Sequence, residues 1–319
     1  MDAIWEKLIA DMKKGSVIAL SRLITRVENR EQGWMDAMKQ IYPDSGHAKL
    51  IGITGSPGAG KSTLTNKIAG SLVRKGYKIG IIAIDPSSPF SGGAILGDRL
   101  RMNELSDLKD VFVRSMATRG VLGGLNQSAR DVAKILDAFG KDYVIIETVG
   151  VGQDEVEVVK TADIVLVVCV PGQGDSIQAI KAGIMEIADI FVVNKADRDG
   201  ADQLTTDIES MLELDEGAGK SKPPIIKTIA TKGEGIPELV EKTLDLIPSL
   251  DGRSLWKEER VRIELIGLVE KELVDRIKSN WMKNGRLDKA VKQIVNQEKD
   301  PYSVAEEILF PLASLWPKG

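Results

Sequence analysis

Apolar positions along the chain change pattern twice. Over residues 1–41 they recur at helical spacing: Trp5, Leu8, Ile9 and Met12, then, after Gly15-Ser16, Val17, Leu20, Ile24 and Val27. A break at Tyr42-Pro43-Asp44-Ser45-Gly46 closes this piece. From Lys49 the pattern becomes short β-branched runs at 50–54, 78–84, 111–114, 143–147, 164–170, 190–193 and 225–228, separated by helical stretches. Most of these runs are apolar at consecutive positions, as strands covered on both faces must be. Their alternation with helices predicts an α/β domain with a largely parallel, doubly wound sheet. Beyond Ile247-Pro248 the strand-like runs stop. Val261, Leu265, Ile266, Val269, Leu273, Ile277 and Trp281 predict one long helix to about residue 284. A second helix is expected near 287–297, and a third opened by Asp300-Pro301, where proline's missing N–H costs nothing. The expected organisation is an N-terminal helical extension over 1–46, an α/β domain over 47–248 and a C-terminal helical region over 249–319.

Composition narrows the function classes. The chain has 319 residues, 43% hydrophobic and 28% charged, which is enough apolar material for a sizeable core. Its net charge of −4, without a Lys/Arg block, argues against a nucleic-acid or anionic-membrane partner. One cysteine, Cys169, rules out an internal disulfide and a multi-thiol metal site; one histidine, His47 in a polar loop, rules out paired-histidine zinc motifs. The apolar run 164–171 is too short to span a bilayer, and the N-terminal residues lack a basic stretch leading into an apolar one. These features point to a cytoplasmic protein of a reducing compartment.

The strongest chemical signal is Gly55-Ser56-Pro57-Gly58-Ala59-Gly60-Lys61-Ser62, which fits G-x-x-x-x-G-K-[ST] between a strand and a helix. Glycines let backbone N–H groups turn inward around phosphates, and the following helix adds the positive end of its dipole. Gly58, Ala59, Gly60, Lys61, Ser62 and Thr63 are therefore expected to cradle a nucleotide, with Lys61 reaching the β- and γ-phosphates and Ser62 ligating Mg2+. A second signal, Asn194-Lys195-Ala196-Asp197, follows another strand. Guanine offers N1–H and an exocyclic amine on one edge, and the Asp197 carboxylate can accept from both. Adenine has no such donor pair, so a buried Asp197 would be left unpaired by it, and GTP or GDP is expected rather than ATP. The Lys195 stem can pack over the purine. Ala230-Thr231-Lys232, after the last strand, sits where a backbone N–H would meet the guanine oxygen.

Three further acids are candidates for the metal and for hydrolysis. Glu147 ends a strand and is followed by Thr148-Val149-Gly150; the Gly150 amide is placed to meet the γ-phosphate. Val151 stands where Ras-like GTPases carry the glutamine that positions water, so another group or a partner must supply that help. Asp85 closes the second strand of the domain and Asp98 lies in the Gly/Ser/Pro-rich stretch after it; both are within plausible reach of the metal. Asp98 reads equally well as the cap of a helix starting near Arg99.

Together these motifs resemble the MeaB/ArgK-type G-proteins, GTPase chaperones of adenosylcobalamin-dependent methylmalonyl-CoA mutase. The segments that carry the likeness are 52–62, Asp85-Pro86-Ser87-Ser88-Pro89, Gly97-Asp98-Arg99, 147–153, Pro171-Gly172-Gln173-Gly174-Asp175 and 194–197. The glutamate at 147 is this family's own departure from other GTPases. The resemblance implies a P-loop GTPase domain, Mg2+ held by Ser62, Asp85, Asp98 and Glu147, and a slow, partner-stimulated hydrolysis. It implies a third switch from Pro171 to Lys181, with Asp175, Gln178 and Lys181 as its partner-sensing positions. It further implies a homodimer extended by the C-terminal helices and a partner that is methylmalonyl-CoA mutase or a related acyl-CoA mutase. An older assignment within the family, an ATP-dependent kinase or ATPase of a basic amino-acid transport system, is the rival. Nickel-insertion GTPases share the core but carry His or Cys clusters that this chain lacks. Signal-recognition GTPases are disfavoured by the acidic balance and the missing Met-rich RNA-binding domain.

Overall fold

A computed structural model describes residues 2–85, 110–117, 124–148, 162–172, 187–214, 222–251, 254–283 and 285–309. The chain divides into two compact units, Met1–Lys257 and Glu258–Gly319.

The first unit opens with helices α1 (Ala3–Lys13), α2 (Val17–Glu28) and α3 (Trp34–Ile41). Asp2 and Ser16 cap the first two, their side-chain oxygens accepting from Ile4 N–H and Ala19 N–H. Then come β1 (Lys49–Gly55), α4 (Lys61–Arg74), β2 (Ile79–Asp85), β3 (Val111–Ala117), α5 (Gly124–Ala138), β4 (Tyr143–Glu147), β5 (Ile164–Cys169), β6 (Ile190–Asn194), α6 (Ala201–Leu214), β7 (Ile225–Thr228) and α7 (Ile236–Asp251). The strands form one sheet in the order β3-β2-β4-β1-β5-β6-β7, every pair parallel. All seven apolar runs of the sequence are strands of this sheet.

Alternation along the strands sorts the core into two faces. Ile51 and Ile53 of β1, Ile79 and Ile81 of β2 and Leu166 and Val168 of β5 share a cluster with Leu64, Ile68 and Leu72 of α4 and Leu239 and Val240 of α7. Ile82 and Ile84 of β2 and Val144 and Ile146 of β4 point the other way, into a cluster with Val132, Ile135 and Leu136 of α5. Trp5, Met12, Leu20, Leu23, Ile24 and Ile41 of the N-terminal helices complete that second cluster. The helices before the sheet are therefore part of the core of this unit. At roughly 1.5–3 kcal/mol for each large apolar side chain removed from water, their stripe is a major stabilising term. Val165, Val167, Phe191 and Val193 pack on α6 in a third cluster.

This order puts β1 at the point where the winding reverses. The chain leaves β1 for β2 on one side of it and later crosses to β5 on the other, opening a crevice at the carboxyl ends of the strands. Gly55, Asp85, Glu147, Asn194 and Thr228 all end strands there.

The second unit holds most of α8 (Ser254–Lys283), then α9 (Arg286–Val295) and α10 (Pro301–Leu309). Asp300 Oδ1 accepts from Tyr302 N–H and Ser303 N–H, both at 2.9 Å, with Pro301 at the first helical position. Val261, Leu265, Ile266 and Val269 of α8 are exposed. Among the described residues no helix is long and apolar enough to cross a membrane.

Candidate functional site

The loop after β1 meets the loop after β6 at this crevice. Gly60 opens α4 with φ +89°, and a Cβ on it would lie 2.6 Å from Asn194 Nδ2. Only glycine lets the two loops approach so closely. Asn194, 2% exposed, uses that proximity: its Nδ2 donates to Ala59 O at 2.8 Å. Its Oδ1 accepts from Thr228 Oγ1 and Ala230 N–H, both at 3.1 Å. One side chain thus joins the phosphate-type loop, β6 and the turn after β7. Lys195 follows in the left-handed region at φ +57° and turns back so that its Nζ donates to Gly58 O at 2.7 Å. A non-glycine residue held in that region stores local strain and persists where its surroundings demand it.

Gly60, Thr63, Asn194, Lys195, Asp197, Ile229, Ala230 and Thr231 line one open cleft. Asp197 stands exposed at its rim with Lys232 Nζ 3.7 Å from Oδ2. Rejection of adenine by an unpaired acid therefore depends on the base itself covering Asp197 from water.

Toward the phosphate end, Lys61 is buried and its Nζ donates to Gly55 O at 2.7 Å and Ser56 O at 3.0 Å. Ser62 Oγ donates to Glu147 Oε1 at 2.5 Å. The glutamate at the end of β4 is held there by parallel pairing, Ile53 against Glu147. Below it, Thr148 N–H donates to Ile53 O at 3.0 Å and Thr148 Oγ1 to Thr54 Oγ1 at 3.1 Å.

Comparison with known proteins agrees with this arrangement. Residues 20–282 match the family described as methylmalonyl-CoA mutase-associated GTPase MeaB. The chain belongs to the MeaB family. A Pyrococcus abyssi relative, whose name goes no further than GTPase, is 46% identical over 310 residues, 95% of each chain. Escherichia coli GTPase ArgK is 33% identical over 300 residues, covering 92% of this chain and 90% of that one. A crystal structure of a protein named LAO/AO transport system kinase superposes with a TM-score of 0.70 at 26% identity, covering 98% of this chain and 99% of that one. The protein is a GTPase with the P-loop GTPase fold of this family.

Within that MeaB frame, the described residues bring together Gly58, Ala59, Gly60, Lys61, Ser62, Thr63, Glu147, Asn194, Lys195, Asp197, Ala230, Thr231 and Lys232 at one end of the sheet. Asp85 closes β2 at the same end, but its side chain lies outside the described residues, as do Asp98, Gly150, Asp175, Gln178 and Lys181. The Ser62 hydroxyl and the Glu147 carboxylate are hard oxygen donors, and that set fits Mg2+. Among the described residues no cluster of three acids, His or Cys accompanies them. A site of this kind takes its other ligands from phosphates and water.

Two positions that the sequence left unremarked belong to the site. Thr228 holds Asn194 Oδ1, and Ile229 lines the cleft. A threonine ending a strand carries no motif of its own. Its role follows only from β6 pairing with β7 in the register Asn194 to Thr228.

Proposed function

We propose that this MeaB-family GTPase binds GTP and GDP with Mg2+ and gates the loading of adenosylcobalamin into methylmalonyl-CoA mutase or a close acyl-CoA mutase. The observation that carries the nucleotide reading is Asn194. Its bonds to Ala59 O and Ala230 N–H tie the phosphate loop to the base-reading turn, so one ligand spans both. Lys61 is placed to leave the carbonyls of Gly55 and Ser56 and donate to the β- and γ-phosphates. Asp197 accepts from guanine N1–H and the exocyclic amine, while the Lys195 stem covers the ring. Ser62 and Glu147 hold the metal, with Asp85 and Asp98 as its further acids. When bound, Mg2+ neutralises charge on the β- and γ-phosphates. Gly150 contacts the γ-phosphate.

Hydrolysis is slow alone, because Val151 replaces the water-positioning glutamine of Ras-like GTPases. The mutase supplies the missing help through Asp175, Gln178 and Lys181. The family description, mutase-associated, supports that partner. The protein acts as a cytoplasmic homodimer, and the exposed apolar residues of α8 and α9, Val261, Leu265, Val269, Leu287 and Val291, supply the self-complementary face. The solved relative carries the name of a transport-system kinase. Asp197 disfavours an ATP-using role for this chain, since adenine offers that acid no donor pair.

The test is GTP and ATP turnover with and without a purified adenosylcobalamin-dependent mutase. Slow GTP turnover raised severalfold by the mutase, with ATP unused, is the expected result. Turnover that the mutase leaves unchanged refutes the partner.

A further inference from the structure

We infer that Gly235 is a positioning residue for base recognition, and that it holds the base-reading turn in its working shape before nucleotide arrives. The inference rests on the guanine reading above and adds a residue to it. The turn after β7 closes on itself. Ile229 N–H donates to Glu234 O at 3.0 Å in an isolated antiparallel bridge, and Gly233 N–H donates to Ile229 O at 2.9 Å inside the turn. Inside it, Ala230 is 3% exposed and its N–H is held by Asn194 Oδ1. Thr231, the next residue of the turn, lines the cleft beside it.

The closing residue is what makes this shape obligatory. Gly235 has φ +73°, and a Cβ there would lie 2.1 Å from Lys227 O and 3.2 Å from Thr228 Cα. Two backbone segments touch where only a hydrogen can fit, so any side chain must push the turn away from β7. Ala230 would move with it, and its N–H would be drawn off Asn194 Oδ1 while Thr228 stays on β7. Gly233 supplies an internal control. Its φ is +79°, yet an added Cβ would meet nothing within 4 Å. Alanine at either position is strained by the left-handed backbone; only at 235 does it also displace the turn. A preformed turn of this kind selects the base without first having to be ordered, which preserves affinity.

The experiment compares wild type, Gly235→Ala and Gly233→Ala in nucleotide-free form, titrated with GDP, ADP and pyrophosphate by calorimetry. Pyrophosphate reads the phosphate loop without a base. Gly235→Ala is expected to lose about tenfold or more in GDP affinity while pyrophosphate binding stays within about twofold, and Gly233→Ala to lose about threefold or less in GDP affinity. Equal GDP losses in the two variants would overturn the inference, because backbone strain alone would then account for them. Parallel losses of GDP and pyrophosphate in Gly235→Ala would overturn it too. Hydrogen exchange on the nucleotide-free wild type keeps the test open if Gly235→Ala does not fold. Protected amides at Ile229 and Gly233 before GDP is added support a preformed turn, and protection that appears only with GDP refutes it. Wild type binding GDP and ADP equally would instead defeat the guanine reading itself, whatever the variants do.

Discussion

Replacing Asn194 by alanine is the sharpest single perturbation of the site. The side chain is 2% exposed and makes one donated and two accepted hydrogen bonds, to Ala59 O, Thr228 Oγ1 and Ala230 N–H. The truncation leaves three buried polar groups without this partner. Each such loss costs about 1–3 kcal/mol. Water entering the vacated space recovers part of the cost, because the hole is lined by polar groups that can hold it. The expected loss is therefore about 3–5 kcal/mol, the lower half of the additive range. For a chain of this size that corresponds to a melting temperature lower by about 5–8 °C. Thr228→Val removes one of the three bonds while keeping the β-branched shape, and should cost about 1 kcal/mol. Thermal unfolding of the nucleotide-free proteins reads the stability, and titration with a fluorescent GDP analogue reads the coupling. Asn194→Ala should lose GDP affinity by about tenfold or more, since the phosphate loop and the base turn no longer share an anchor. A variant that melts within about 2 °C of wild type and binds GDP within about twofold would refute the claim that Asn194 joins the two halves of the site.

Two more outcomes follow from the same geometry. Lys61→Ala should abolish tight GTP binding while leaving the fold intact, as judged by circular dichroism; unchanged binding would remove Lys61 from the phosphate site. The buried Cys169 thiol is pushed up to about 12 by desolvation, and desolvation with Tyr77 alongside pushes Tyr143 up to about 12. The unfolded thiol ionises near 9.0 and the folded one only near 12, so the unfolded state sheds its proton first and stability falls as pH rises through that window. Tyr143 adds to the fall above its ordinary 10.0, and Lys141, lowered by burial, opposes it. Urea melts at pH 8 and pH 10 should show a drop that Cys169→Ala reduces, and an equal drop in the variant would rule the thiol out.

Much of the α/β architecture was legible because two-sided burial forces consecutive apolar residues, and each such run is a strand. Strand order was not legible. It depends on which runs pair across the sheet, and Leu50–Thr54 looks no more central than its neighbours until β4 and β5 flank it. The N-terminal helices show the same limit. Their stripe announces a covered face, but Trp5, Leu20 and Ile24 do not say that the cover is Ile82, Val144 and Leu136. α8 starts at Ser254, ahead of the apolar stripe that begins at Val261, because the charged run Lys257-Glu258-Glu259-Arg260 between them interrupts the periodicity that a stripe needs. At the site, residues belonging to fixed spacings were readable: Gly55 to Ser62 and Asn194 to Asp197. Thr228 and Gly235 were not, since their roles come from a backbone register and from a close approach that no local pattern encodes.

Competition of GTP, ATP and xanthosine triphosphate for wild type and for Asp197→Asn tests the central claim most directly, namely that one site reads both guanine and phosphates. The account predicts wild-type preference for GTP over ATP by at least about a hundredfold. In Asp197→Asn the preference should pass to xanthosine triphosphate, because the amide donates to the new carbonyl where the carboxylate accepted from the amine. Equal binding of GTP and ATP by wild type, or a variant that keeps its GTP preference, would contradict it.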